Sequence, residues 1–278
     1  MTSNISSKVA FVGGGNMASA LVGGLIKAGR APDSLLVLDP NGATREQLQA
    51  QFGVTTLESA DARLADAAMV VWAVKPQYCG AAAAPCAPFV AGALHLSVMA
   101  GIRSETIAQA VGVSPAHARI VRSMPNTPAL IGRGIAGLFA TAAVTAAERA
   151  LVEQVLAPTG QTLWVAQEAD LDAVTALSGS GPAYVFYMAE AMVAAGQAMG
   201  LPADQARRLA LATFDGAAAL AAQSDEPLAT LRERVTSKGG TTFAALESLK
   251  ADEVAQAFGR ALQAAQQRAR ELGDEFGQ

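Results

Sequence analysis

The chain has 278 residues, 51% of them hydrophobic and 16% charged, with a formal net charge of −4. That is enough apolar material for two folded domains and too much for a disordered chain. The acidic balance argues against a nucleic-acid interface, because nothing would neutralise phosphates over a broad face. Aromatics are only 5%, so Ala, Val and Leu must fill the core. Cys79 and Cys86 are the only cysteines. They offer no paired framework and no second cluster for a metal, so we expect two free thiols in a reducing cytoplasm and no metal site. Residues 1–8 lack the charged and apolar regions of a signal peptide.

Residues 8–13 form a short apolar run that predicts a strand, and Gly13, Gly15 and Ala18 then follow the G-x-G-x-x-G/A spacing of a dinucleotide-binding turn. Gly13 would allow the tight turn, Gly15 would let a pyrophosphate approach the backbone, and Ala18 would keep the helix close to the sheet. Asn16 and Met17, at the helix start, complete the expected cradle, and Met17, Leu21, Leu25 and Ala28 fall on one helical face. A ligand-free Gly-rich turn is the bland alternative. A second strand over 34–38 ends in Asp39, where a carboxylate commonly accepts from the ribose 2′-OH and favours NAD over NADP. Asp39 fits equally as a turn residue. Asn41, Thr44 and Arg45 in the same loop could hold a 2′-phosphate, so NADPH and NADH both stay open.

The continuous apolar run over 67–74 predicts a strand covered on both faces. It ends in Lys75-Pro76-Gln77, and Pro76 suits the first turn of a following helix. Residues 76–102 carry no formal charge and are numerous enough to span a bilayer. Gly80, Pro85, Pro88 and Gly92 interrupt them, so a helix, a loop and a buried strand over 94–99 are expected in a soluble protein. Further strands are expected over 120–122, 134–140 and 161–165, with a helix over 145–156. Between the first two lies Met124-Pro125-Asn126-Thr127-Pro128. The Asn126 amide both donates and accepts, which suits a nicotinamide carboxamide or ribose, or else a local cap in a turn.

Beyond Gln167 the pattern is helical. One helix is expected over 170–177, broken at Ser178-Gly179-Ser180-Gly181-Pro182. Tyr184, Met188, Met192, Ala195 and Met199 mark the stripe of the next. The helix over 203–222 is apolar on nearly every side, and such a helix must be buried all round. About 110 helical residues have too few layers to hide it, which predicts at least a homodimer. Neither Ser178 nor Ser180 has the glycines of a nucleophile elbow, and His95 and His117 lie far off in sequence, so a Ser–His–Asp triad is not expected.

Over 227–249 one helix, a break at Gly239-Gly240 and a second helix opening at Thr241-Thr242 are expected. Two glycines can bring the backbone close to a small ligand. Fresh N–H groups at a helix start attract a carboxylate, and the Thr241 and Thr242 hydroxyls add donors. A helix joint with ordinary Thr caps is the alternative.

This segment resembles the signature of the pyrroline-5-carboxylate reductase family at Pro227, Leu231, Val235, Thr236, Ser237, Gly239, Gly240, Thr242, Ala245, Leu246 and Leu249. Lys238 stands where many members carry Pro. The strings Ala73-Val74-Lys75-Pro76, Met124-Pro125-Asn126-Thr127-Pro128 and Ser178-Gly179-Ser180-Gly181-Pro182 are similar to further motifs of that family. The resemblance implies an α/β chain, with a Rossmann-type doubly wound sheet in residues 1–166 followed by an all-helical dimerisation and substrate domain in 167–278. It implies reduction of 1-pyrroline-5-carboxylate to L-proline with NADPH or NADH, the last step of proline biosynthesis. Ala73, Lys75, Pro76 and Asn126 would then border the cofactor. Ser180, Ser237, Gly239, Gly240, Thr241 and Thr242 would bind the substrate, with Thr242 hydrogen-bonded to its ring nitrogen. A cyclic iminium carries its own proton, so no strong general acid is required. Asp225 and Glu226 would support the iminium or cap the signature helix. A reductase of another imine and a nucleotide-sensing protein that merely dimerises share many of these features.

Overall fold

The computed structural model describes residues 7–276. The stretch expected to lack a signal peptide falls mostly on residues 1–6, outside the described residues. Helices and strands alternate through the first half: β1 (Lys8–Val12), α1 (Asn16–Lys27), β2 (Leu35–Leu38), α2 (Gly42–Phe52), β3 (Thr55–Leu57) and β4 (Ala67–Trp72). There follow α3 (Cys79–Ala83), α4 (Ala87–Val90), β5 (Leu94–Ser97), α5 (Ser104–Ala110), β6 (Ile120–Met124), β7 (Gly134–Ala140), α6 (Ala146–Leu156) and β8 (Gly160–Trp164). The rest is helical: α7 (Asp170–Val174), α8 (Gly181–Ala198), α9 (Ala203–Ala222), α10 (Leu228–Arg234), α11 (Thr241–Ala251) and α12 (Val254–Phe276).

The eight strands make one sheet in the order β3-β2-β1-β4-β5-β6-β7-β8, parallel throughout except between β6 and β7. The order reverses direction at β1, so the turn after β1 sits at the switch point where open α/β sheets bind ligands. Successive β1 residues feed opposite cores. Val9 and Phe11 pack with α1 and α6 residues such as Leu21 and Val152, while Ala10 and Val12 pack with Cys79, Val90 and Ile107 on the other face. Both faces are covered, so apolar runs rather than alternation mark these strands. Each fully buried large side chain, Phe11 and Trp72 among them, contributes roughly 1.5–3 kcal/mol.

By contact the chain divides into one unit of Met1–Ser180 with Ala265–Gln278 and another of Gly181–Ala264. In the first, Arg103 pairs with Asp274 of the last helical turns at 2.8 Å. In the second, α8 and α9 pair with each other, and Tyr184 meets Phe258 edge-on with ring centroids 5.8 Å apart. Among the described residues no helix is long and apolar enough to cross a membrane.

The expected break at 178–182 is instead a single π-helical turn, Thr175–Gly179, closed by the Ser180 N–H on the Thr175 carbonyl at 2.8 Å. Pro182 sits in the opening turn of α8, where a missing N–H costs nothing. β3 was not anticipated, because Thr55-Thr56-Leu57 is too short to show a period.

Candidate active site

The turn after β1 is built for an anion. Gly13 has φ +99°, and a Cβ there would lie 2.7 Å from the Ala73 carbonyl oxygen, so only glycine lets β1 turn beside the end of β4. Gly15 is the exposed N-cap of α1; it has no side-chain cap, and a Cβ added there would meet nothing within 4 Å. Open space above uncapped N–H groups suits a pyrophosphate, and the helix dipole favours it. Asn16 is exposed and Met17 half-buried at this rim, while Ala18 is fully buried against the sheet. The residues present therefore fit a dinucleotide.

Gly14, between the two fingerprint glycines, is the residue the fingerprint leaves unmarked. Its N–H donates to Asp39 Oδ2 at 2.7 Å, and a Cβ would lie 2.9 Å from both Thr44 Cγ2 and Leu48 Cδ1. Asp39 Oδ1 accepts from the Asn41 N–H at 2.9 Å, and Asn41 caps α2 by accepting from the Thr44 N–H at 3.3 Å. Asp39 thus joins β2, the Gly-rich turn and α2. At the end of β4, Lys75 is exposed and Pro76 opens a short 3-10 turn.

Asn126 follows β6 and is half-buried. Its Oδ1 accepts from the Ile135 N–H at 3.0 Å, and its Nδ2 donates to the Ser178 carbonyl at 3.2 Å. The amide ties the loop after β6 to the π turn. One Nδ2 hydrogen is left for a ligand. Gly179 continues that contact, since a Cβ there would lie 2.5 Å from Met124 Cε. Ser178 Oγ donates back to the Val174 carbonyl at 3.0 Å, while Ser180 ends the turn half-buried.

Arg122 and Glu168 carried no sequence signal, being 46 residues apart. Arg122 Nη1 donates to Glu168 Oε1 at 2.9 Å, and Ser104 bonds the same carboxylate through its N–H at 2.6 Å and its Oγ at 2.8 Å. Burial alone would raise the Glu168 carboxyl, but the Ser104 N–H and the Arg122 charge outweigh it and hold it below the usual range. This ion pair anchors the strand that delivers Met124 and Asn126.

The second unit supplies another uncapped helix start. Gly239 has φ +73°, and Gly240 is the N-cap of α11 with no side-chain cap. A Cβ on Gly240 would lie 2.5 Å from Ser237 Oγ and 3.1 Å from the Ser237 carbonyl oxygen, so the serine closes over a position where a side chain would have to displace it. Thr241 and Thr242 stand inside the first turn rather than capping it. Thr175, Thr213 and Thr236 turn their hydroxyls back onto carbonyls four residues earlier, at 2.7, 2.8 and 2.6 Å. The Thr241 and Thr242 hydroxyls make no such bond. Capping by Asp225 or Glu226 does not occur: no side chain caps α10, and Glu226 pairs with Arg234 at 2.5 Å. Among the described residues no three His, Cys, Asp or Glu are grouped to hold a metal ion.

Residues 168–272 match the family model for pyrroline-5-carboxylate reductase dimerisation. Residues 8–101 match that for coenzyme F420-dependent NADP oxidoreductase. The chain is 42% identical over 272 residues to a pyrroline-5-carboxylate reductase of Pseudomonas aeruginosa, covering 98% of each. The chain belongs to the pyrroline-5-carboxylate reductase family. Its fold matches the solved family member of Coxiella burnetii with a TM-score of 0.89 at 35% identity, covering 96% of this chain and 98% of that one. A pyrroline carboxylate reductase of Plasmodium falciparum, solved with NADP bound, gives a TM-score of 0.82 at 28% identity, covering 96% and 98%. The helical segment is the part whose family model is named for dimerisation.

Proposed function

We infer that the chain reduces 1-pyrroline-5-carboxylate to L-proline by hydride transfer from NAD(P)H, closing proline biosynthesis. The observation that carries the reading is the near end-to-end likeness to pyrroline-5-carboxylate reductases, 98% of the chain at 42% identity. Gly13, Gly15, Asn16 and Met17 hold the cofactor's pyrophosphate, Asp39 its adenosine ribose, and Ala73, Lys75, Pro76 and Asn126 border its nicotinamide end. When bound, the cofactor supplies the hydride.

The substrate is a small cyclic imine with one carboxylate. The N–H groups at the start of α11 and the hydroxyls of Ser237 and Thr241 hold that carboxylate. Gly239 and Gly240 keep side chains out of its way. Thr242 bonds the ring nitrogen, which takes its proton from solvent. With no strong acid or base in this set, rate comes from orientation. Ser180 is assigned to the substrate on the family motif alone. Residues 1–166 serve as the NAD(P)-binding domain and 167–278 as the dimerisation and substrate domain, in a cytoplasmic homodimer or an assembly of such dimers.

The test follows nicotinamide absorbance with purified protein, 1-pyrroline-5-carboxylate and each cofactor. Oxidation with formation of proline is expected. A protein that binds cofactor yet leaves this imine untouched, while reducing another, would overturn the substrate.

A further inference from the structure

We propose that the adenosine end of this site selects the unphosphorylated ribose, making NADH the preferred cofactor of this chain. The proposal rests on the NAD(P)H reading above and on three charged side chains where β2 and β3 end side by side.

Asp39 follows β2 and Glu58 follows β3, and the Asp39 N–H donates to the Leu57 carbonyl at 3.0 Å, so both carboxylates leave the sheet at the same edge. The Gly14 and Asn41 N–H groups fix the Asp39 carboxylate at the Gly-rich turn, at 2.7 and 2.9 Å. Each of its oxygens keeps a further lone pair, so a ribose 2′-OH can donate to it. A 2′-phosphate offers acceptors and negative charge instead, and would be repelled.

Arg45 is the sole cation in the 39–45 loop, and three of its five N–H groups are engaged within the protein. Its Nη1 donates to the Asp39 and Pro40 carbonyls, both at 2.9 Å, and its Nη2 donates to Glu58 Oε2 at 3.2 Å. Swinging Arg45 onto a phosphate would strip two main-chain carbonyls of their donor and leave Glu58 without its cation. Asn41 Oδ1 is used in capping α2, and Thr44 Cγ2 faces Gly14. One cation against two carboxylates leaves a net negative charge where NADPH would bring a dianion. Glu58 is 75% exposed, so solvent screens it and Asp39 carries the larger share of the selection.

The experiment titrates NADH and NADPH into the full chain by nicotinamide fluorescence, with no imine present. NADH is expected to bind at least roughly tenfold more tightly; equal or tighter binding of NADPH would overturn the proposal. Glu58→Gln keeps an acceptor for Arg45 and removes the charge, and should tighten NADPH roughly threefold while NADH stays put. An unmoved NADPH affinity would remove Glu58 from the account. Asp39→Ala should weaken NADH more than NADPH, and equal weakening would make Asp39 a loop support only. A melting curve shows whether that variant folds, and if it does not, the ratio of the two affinities in the unmodified chain decides the matter. Neither titration uses the imine, so failure to reduce 1-pyrroline-5-carboxylate would leave this result standing.

Discussion

The two compact units solve the burial problem in opposite ways. In the sheet unit Phe11, Leu21, Met69 and Leu96 are wholly buried by helices of the same chain. In the helical unit Phe186, Tyr187, Met199 and Leu220 stay 63–78% exposed, and α9 buries only Ala206 and Ala210 along its whole length. A sheet flanked on both faces closes its own core, whereas a few helices without a second layer leave theirs in water. Covering each of those side chains would contribute roughly 1.5–3 kcal/mol. That is the physical content of the match to a dimerisation model over 168–272: the helical unit leaves apolar faces that a second copy could cover.

The sharpest way to break this contrast is to charge the open face of α9. Leu209 and Leu220 lie on one helical face and are 57% and 63% exposed. In a lone chain Leu209→Asp with Leu220→Asp would cost within about 0.5 kcal/mol per site. If a second copy covers them, the dimer constant should weaken about a thousandfold, near 4 kcal/mol. Sedimentation at micromolar concentration separates the two, and an unchanged mass would sink the contrast.

The next effect lies in the sheet unit. Burial, then the nearby Arg119 charge, pushes the His95 imidazole down to about 4. Trp72 Nε1 donates to its Nδ1 at 3.2 Å, so the neutral ring is the one that fits. The folded pKa lies below the unfolded one, so the unfolded chain binds the extra proton between them. Stability is therefore full above about pH 6.5 and falls as the pH drops towards 4, by about 3 kcal/mol in all. His95→Gln keeps an acceptor for Trp72 and should flatten that limb in denaturant titrations across this range. An identical slope in the variant would show that other groups set it.

Two smaller effects separate chemistry from support. Thr242→Ala should lower kcat about thirtyfold, some 2 kcal/mol, with melting temperature and cofactor affinity nearly unchanged, because its hydroxyl holds nothing within the helical unit. Loss of cofactor binding would remove Thr242 from its role. Asn126→Ala should lower kcat only about tenfold, some 1.4 kcal/mol, but should also lower the melting temperature. Its amide joins Ile135 and Ser178. A kinetic loss with no thermal shift would mean that Asn126 serves the ligand alone.

The same contrast explains what could be read from the sequence. Apolar runs and the Gly13, Gly15 and Ala18 spacing report on neighbours a few residues away, so β1, β4 and the tight Gly-rich turn between β1 and α1 were legible, as was the joint between α10 and α11. An amphipathic deficit is also local, which is why α9 pointed to a partner. Asn126 with Ser178 and Arg122 with Glu168 are 52 and 46 residues apart and leave no periodic trace. Nor does spacing show that Arg45 is held by carbonyls and Glu58 instead of facing a ligand. Ser178 to Pro182 reads as a breaker, because a π turn that absorbs one extra residue has no compositional mark.

The most direct test of the account follows a label. With the transferable hydride of NADH or NADPH replaced by deuterium, 1-pyrroline-5-carboxylate should yield L-proline deuterated once, at the ring carbon beside nitrogen that lacks the carboxylate. Unlabelled proline, or cofactor bound and never oxidised in the presence of this imine, would contradict it.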